Sequence, residues 1–420
     1  MRLLYMRFAA AISDERDPRK ATEAVLQQVS SQLAGAPAQL AFLFVSVLYR
    51  TDWGPLLRPL RKGLGSPLML GCTAGGVIGD NHELEGMPAL SLVAGALPEV
   101  KLHPFRITQE ELAQQQEPGF WFEKIGANPA QEPVAVLLPD PFTCDCMTLV
   151  ETLGAVYPGM PVIGGLASGA SHAGENALFL DDEVLPEGAV GALLTGNIRL
   201  ETVVSQGCRP IGRPFIVTKV EENLILELAG ARATEALQKL YAELSDADKQ
   251  LARRALLLGV VMDEYKEKFR RGDFLIRNLI GMDPNSGAIA VGDRIRTGQT
   301  VQFHVRDAET SREDLQHLLA EKAGSLLKDG APGGLLFSCL GRGQDLYGQP
   351  HVDIRAIRAA LGPCPIGGFF CNGEIGPIGR HNYIHGFTSS LGLFRPKPSF
   401  RGRQAEESRF SKRDFSLRSK

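Results

Sequence analysis

Three apolar runs stand out along the chain, each closed by polar or turn-forming residues: AFLFVSVLY (41–49), VAVLLPDPF (134–142) and GLLFSCLGR (334–342). Near-continuous apolar runs of this length fit strands covered on both faces, as in parallel sheets. A stretch that predicts a helix follows each of them: GPLLRPLRKGLG (54–65), CDCMTLVETLGAVYPG (144–159) and HVDIRAIRAALG (351–362). In the third, Ile354, Ile357 and Leu361 recur on one helical face. Each of these helices stops at a glycine close to a proline. A short strand then runs into glycines, in PLMLGCTAGGVIG (67–79), PVIGGLASGASHAG (161–174) and PIGGFFCNGEIGPIG (365–379). A last strand closes each copy, at ALSLVAGAL (89–97), AVGALLTG (189–196) and GFTSSLGLF (386–394). The unit strand, helix, strand, glycine turn, strand therefore occurs three times, which marks an internal repeat.

The chain between the second and third copies has a different pattern. FIVT and LILEL alternate around a turn at Glu221–Asn223, which predicts a β-hairpin. Helices are expected at 231–244 and 246–269, the second capped by Ser245 with Asp246 and Asp248 in its first turn. GDFLIRNLIGMD, AIAVGD and GQTVQFHVRD read as strands, and 311–330 reads as a helix with Ser311 as N-cap and Gly330 at its stop. The fold class is α/β (mixed α+β): three repeats forming mixed sheets, with an inserted α+β segment. Residues 1–222 are read as one domain holding two copies (about 41–97 and 134–196). Residues 223–396 form a second, with the inserted segment and the copy at 334–394. Residues 397–420, rich in Arg and Lys without apolar periodicity, are read as a disordered basic tail.

Composition narrows the function classes. The chain has 420 residues and a formal net charge of −3, with no overall basic footprint, so nucleic acid is not the expected partner. No run approaches the ~18 apolar residues of a membrane span. Seven scattered cysteines and the absence of a signal-like start fit a cytoplasmic location rather than a disulfide framework. The 46 glycines exceed the usual ~7%, and they cluster in the turns of the repeat.

The motifs, in their order, resemble the FIST-domain family (F-box and intracellular signal transduction proteins) over nearly all of 6–396. The N-terminal half carries LGCTAGGVIG and ELEGMPALSLVAGALPEV, and QGCRPIGRPFIVTKVEENLILEL looks like the junction segment. The C-terminal half carries FLIRNLIGMDPNSGAIAVGD, GQTVQFHVRD, GLLFSCLGRG and IGGFFCNGEIGP. The resemblance implies a paired FIST N-terminal and C-terminal domain that senses small ligands, amino acids among them. Relatives in signalling proteins are joined to kinase, cyclase or receptor modules. Because none is recognisable here, a separate signalling partner is expected.

Candidate ligand-binding residues lie in the glycine turns and at strand ends, where open α/β sheets collect ligands. In the first copy they are Cys72, Thr73, Gly75 and Gly76; in the third, Cys371, Asn372, Gly373 and Glu374; Arg342 and Gly343 follow the strand at 334–342. GRGQDLYG is neither a dinucleotide fingerprint nor a P-loop, so Arg342 is either an anion-holding fork or a solvated turn residue. Cys72 and Cys371 fall in corresponding turns and are either small fillers or nucleophiles of an enzyme, the alternative reading of the chain. Glu374 either caps turn amides, pairs with Arg277 or Arg342, or recognises an ammonium group; with Arg342 opposite, an amino-acid zwitterion would find both partners. A third reading is a protein-interaction adaptor. No metal or cofactor is expected: Cys144-x-Cys146 lacks zinc spacing, and His381 and His385, if on a strand, sit ~13 Å apart.

Overall fold

Each of the three apolar runs becomes a central strand of a six-stranded sheet. The computed structural model describes residues 5–49, 52–114, 117–326 and 333–398. The first sheet runs Arg7–Ser13, Leu90–Ala96, Leu40–Ser46, Leu68–Ala74, Leu178–Leu180, Glu183–Leu185. The second runs Val100–Ile107, Ala189–Gly196, Val134–Pro139, Val162–Gly165, Glu374–Ile378, His381–His385. The third runs Arg199–Ser205, Ser389–Arg395, Gly333–Cys339, Ile366–Cys371, Gly76–Gly79, His82–Glu85. In all three, one parallel pair sits among antiparallel neighbours, so the sheets are mixed and the fold is mixed α/β.

The repeat is longer than the pattern suggested. Each sheet also contains an entering strand (Arg7–Ser13, Val100–Ile107 or Arg199–Ser205). The glycine turn opens into a two-stranded hairpin that leaves its own sheet. The hairpin of the first copy joins the third sheet, that of the second joins the first, and that of the third joins the second. This cyclic exchange ties the copies into one body. Their inner faces meet in a common core that includes Phe44, Phe337 and Phe369, with Phe44 4.9 Å from Phe369 and 6.2 Å from Phe337 between ring centroids. Helices cover the outer faces: Pro18–Leu33 and Gly54–Gly63 on the first sheet, Cys146–Val156 on the second, Ala308–Leu326 and Val352–Leu361 on the third. Burial on both faces explains why LAFLFVS is apolar without alternation.

Register fixes the correspondence between copies. Gly71, Gly164 and Gly368 face Leu43, Leu137 and Leu336 across their parallel pairs. A Cβ on any of these glycines would fall 1.8 to 2.0 Å from the facing leucine carbonyl oxygen. The glycines are therefore required by close backbone approach. The same register places Cys72 opposite Phe44 and Phe369 opposite Phe337, so Cys72 corresponds to Phe369. Cys371, paired with Cys339, corresponds to Ala74, paired with Ser46. The expected Cys72–Cys371 equivalence is thus corrected by two residues, which in a strand leaves the face unchanged but the depth different.

The inserted segment forms a closed ring of six antiparallel strands: Thr300–Arg306, Phe215–Glu221, Leu224–Leu228, Ile289–Val291, Phe274–Met282 and Leu256–Val261, which pairs back onto Thr300–Arg306. Closure removes exposed sheet edges. The hairpin at 221–223 is present as expected, and residue 222 lies in its turn. The helix expected over 246–269 ends at Arg254; Leu256–Val261 is a strand with neighbours on both sides. The helix expected from Ser311 begins at Ala308, where Asp307 accepts the Thr310 amide, and the Ser311 hydroxyl instead donates to Gly207 O. Its expected stop at Gly330, and all of the tail beyond 398, lie outside the described residues.

Candidate functional site

The parallel pair Gly333–Cys339 and Ile366–Cys371 ends at the floor of a cavity of about 570 Å³. The cavity lies between the third sheet and the inserted ring, with Pro141, Cys144 and Leu166 of the second copy along one side, and Cys339, Cys371, Asn372, Gly373, His385 and Arg277 are also among its lining residues. Carboxyl ends of parallel strands are where open sheets place ligands. Asn372 is exposed. Gly373 has φ of 141°, a left-handed conformation that side chains other than glycine resist, and a Cβ there would crowd Leu166 and Ile384. Its carbonyl accepts the Leu166 amide at 2.9 Å, and the Asn372 amide donates to Leu166 O at 3.2 Å. The turn is therefore held open against the second copy.

One wall is an ion pair. Arg277 Nε donates to Asp293 Oδ2 at 2.5 Å, and its Nη1 donates to Ile384 O at 3.0 Å. Arg277 thus meets Asp293 and not Glu374. Beside it is His385, buried, with Nε2 3.0 Å from Gly376 O. A carbonyl only accepts, so Nε2 carries the proton and Nδ1 is left as an acceptor. That Nδ1 is buried and has no hydrogen-bond partner among the described residues. Burial lowers the His385 pKa to about 4, so the ring is neutral.

Glu374 lies beneath this lining, fully buried. Its Oε2 accepts the Thr388 amide at 2.9 Å and its Oε1 accepts the Cys371 thiol at 3.5 Å. Opposite Gly165, it occupies the register position that Val77 and Leu178 hold in the other two copies. A carboxylate thus replaces a core aliphatic in this copy alone. Burial holds Glu374 up to about 8, and burial with the nearby Asp353 charge does the same for Glu83.

The remaining sequence candidates have other work. Arg342 is fully buried; its Nε and Nη2 donate to the two oxygens of Asp353 at 2.7 and 3.0 Å, and Nη2 also donates to Tyr347 OH at 2.6 Å. The fork expected for an anion is filled by Asp353, which corrects both the anion reading and the Arg342–Glu374 zwitterion clamp. Gly343, with φ of 65°, approaches Glu85, whose Oε1 accepts the Gln344 amide at 3.0 Å. Cys72 is in the central core, its thiol pushed well up by burial and then by Asp140. Thr73 Oγ1 accepts the Ala177 amide, Gly75 donates to Ser168 Oγ, and Gly76 pairs with Phe370. These contacts join copies to one another, and none of Cys72, Thr73, Gly75 or Gly76 lines this cavity. Cys339, Asp293 and His385 were missed as site residues; the parity of GLLFSC, which puts Cys339 on the face of Phe337, was the one available signal. Among the described residues, no three His, Cys, Asp or Glu side chains come together as a metal-holding group.

The buried carboxyls set a pH dependence. In an unfolded chain Glu releases its proton near ~4.3. Between there and about 8 the folded state therefore binds more protons at Glu374 and Glu83, and stability falls as pH rises. His304 and His385, both lowered to about 4, act in the opposite sense only up to ~6.5. From ~6.5 to 8 the falling slope remains, and Glu374→Gln is expected to flatten it by up to ~1.4 kcal/mol per pH unit. Urea unfolding across that range checks this; an unchanged slope would mean that Glu374 is already ionised at neutral pH.

Three strand-exchanged α/β units carrying an inserted β-ring, with a cavity of mixed polar and apolar lining beside the ring, define the class of this protein. The chain belongs to the FIST family: a FIST N domain matches residues 39–231 and a FIST C domain matches 233–377. The uncharacterized protein Rv0628c of Mycobacterium tuberculosis (strain H37Rv) is 37% identical over 390 residues, covering 93% of this chain and 100% of that protein. The uncharacterized protein Mb0898c of Mycobacterium bovis is 36% identical over 392 residues, covering 93% and 99%. Among solved structures, a cyanuric acid hydrolase aligns over 94% of this chain and 100% of its own at 9% identity, with a TM-score of 0.33. Among the described residues no helix is long and apolar enough to cross a membrane.

Proposed function

We propose that this protein is a small-ligand-binding sensory protein that works without catalysis, and that its ligand, an amino acid or similar small polar metabolite, occupies the cavity between the third sheet and the inserted ring. The observation that carries this reading is the buried, unpaired Nδ1 of His385 in the lining of a ~570 Å³ cavity. An unsatisfied buried acceptor is costly, on the order of 1–3 kcal/mol, and a ligand N–H would relieve that cost. Asp293 adds negative charge for an ammonium group, while Arg277 and the exposed Asn372 amide offer donors to a carboxylate. The volume falls in the range of small-molecule sites. A separate cytoplasmic signalling protein would read the bound state.

Thermal-shift measurement against the common amino acids and small carboxylates tests it. At least one is expected to raise Tm, by an amount that grows with concentration above Kd. In Asn372→Ala, whose side chain is exposed and outside the core, the same ligand should bind roughly ten-fold more weakly while the unliganded Tm stays within about 1 °C, the loss of one ligand hydrogen bond. A ligand that stabilises both forms equally would place the site elsewhere. No stabilisation by any of them would overturn the reading.

A further inference from the structure

All seven cysteines are free; six are buried, and Cys339 is the exception, partly exposed in the floor of the cavity. Cys339 is also the direct register partner of Cys371 across the parallel pair. The two strands carry Phe337 and Phe369, 5.6 Å apart between ring centroids, one step earlier on the same face. Side chains two residues on share that face, so both thiols point inward beside each other. Adjacent strands lie ~4.8 Å apart, inside the ~4.4–6.8 Å Cα separation that a disulfide spans. The third element is Glu374: the Cys371 thiol lies 3.5 Å from its Oε1 and 3.4 Å from Ser338 O, and Glu374 is near enough to Cys339 for its charge to act on that thiol. Two thiols and one carboxylate thus converge under an accessible cavity, and the carboxylate stands where the other two copies have Val77 and Leu178. Cys144 and Cys146 also reach the cavity, but both are buried and the Cys146 thiol donates to Cys144 O.

We propose that Cys339 and Cys371 are an oxidisable thiol pair, in which Cys339 reacts with a small hydroperoxide entering the cavity, Cys371 resolves the product to a disulfide, and Glu374 carries the proton. In the first step, which runs in molecules whose Glu374 is ionised and so quickens as pH rises towards about 8, the Cys339 sulfur attacks the distal peroxide oxygen while its proton passes to the Glu374 carboxylate. An S–O bond forms and the O–O bond breaks; the leaving alkoxide takes that proton and departs as an alcohol, or as water from hydrogen peroxide. In the second step the Cys371 sulfur attacks the sulfenic sulfur of Cys339. An S–S bond forms, the S–OH bond breaks, and hydroxide leaves with the Cys371 proton as water. The cysteines lose two electrons and the hydroperoxide gains two. Burial pushes the Cys339 thiol up to about 12, so the reaction depends on the carboxylate beside it and is expected to take minutes. A thiol reductant returns the pair to its starting state.

The test uses the full chain and hydrogen peroxide at a few equivalents, with no ligand present, so its outcome is separate from that of the binding reading. After blocking of free thiols and digestion, mass spectrometry should find a Cys339–Cys371 linked peptide that dithiothreitol removes, with Cys72, Cys144, Cys146, Cys208 and Cys364 still free. In Cys371→Ser, dimedone should trap a sulfenic acid at Cys339; in Cys339→Ser it should trap none at Cys371. Glu374→Gln should slow formation of the linked peptide at least ten-fold. Should a variant fail to fold, a short dimedone pulse on the wild-type chain still decides, because the first adduct must be at Cys339. Oxidation scattered among the cysteines, a first adduct elsewhere, or no linked peptide overturns the proposal.

Discussion

Replacing Asp353 by alanine should cost about 3–5 kcal/mol in urea unfolding, the penalty of leaving one charge of a buried pair without its partner. Arg342 is fully buried, and both Asp353 oxygens hold its fork. Tyr347 OH donates to Asp353 Oδ1 at 2.7 Å and would lose that acceptor as well. Another carboxyl at hand is Glu83, whose Oε1 accepts the Ile354 amide at 2.8 Å and which burial and Asp353 together hold up to about 8. With Asp353 gone, Glu83 should ionise more readily and recover part of the loss above pH 7. The double variant Arg342→Met with Asp353→Leu should be more stable than Asp353→Ala alone, because it removes both charges and leaves none stranded. A cost below about 1 kcal/mol for Asp353→Ala would mean that water reaches Arg342. The effect reaches the cavity too, because Gly341, directly before Arg342, lines it, and Arg306 Nη2 donates to Gly341 O at 2.7 Å.

The repeat was legible because its causes are local. Strands buried on both faces must be apolar throughout, and Gly71, Gly164 and Gly368 leave the same mark in three places. What failed was decided by contacts distant in the chain. LLLGVV (256–261) follows good helix formers, and only pairing with Phe274–Met282 and Thr300–Arg306 makes it a strand. Nothing in GVIGDNHELE says that its hairpin will join a sheet nearly 300 residues later. Arg342 looked available because its partner Asp353 lies eleven residues on, inside the helix Val352–Leu361, where an acid in the first turn also has a capping explanation. Asn372 and Gly373 were placed in the cavity by the same glycine pattern that put Cys72 and Thr73 elsewhere. The difference is the inserted ring, which covers one end of the third sheet and supplies Arg277 and Asp293. Sequence marked the turns of all three copies alike; only the packed structure says which one borders the cavity.

Gly368→Ala is expected to cost about 3–5 kcal/mol, at the upper end of single substitutions. The added methyl would lie 1.8 Å from Leu336 O and 2.7 Å from its carbonyl carbon. Those atoms are backbone of the parallel partner strand and cannot rotate away, so the pair must part or the ladder must shift. Backbone strain contributes nothing to the argument, because Gly368 is not among the glycines with positive φ. Gly154→Ala supplies the contrast: inside the helix Cys146–Val156 a Cβ meets nothing within 4 Å, and the change should gain about 0.5–1 kcal/mol. Urea denaturation of both variants beside the wild type measures the difference. A Gly368→Ala chain within about 1 kcal/mol of wild type would show that the parallel pair yields at little cost. Because Gly71 and Gly164 face Leu43 O and Leu137 O at 2.0 and 1.9 Å, their alanine variants should lose similar amounts. Equal losses at three sites so far apart in the chain would tie the three copies to one backbone geometry by measurement. In Gly368→Ala alone, the strain would be felt three residues on at Cys371, so this variant should also disturb the cavity floor.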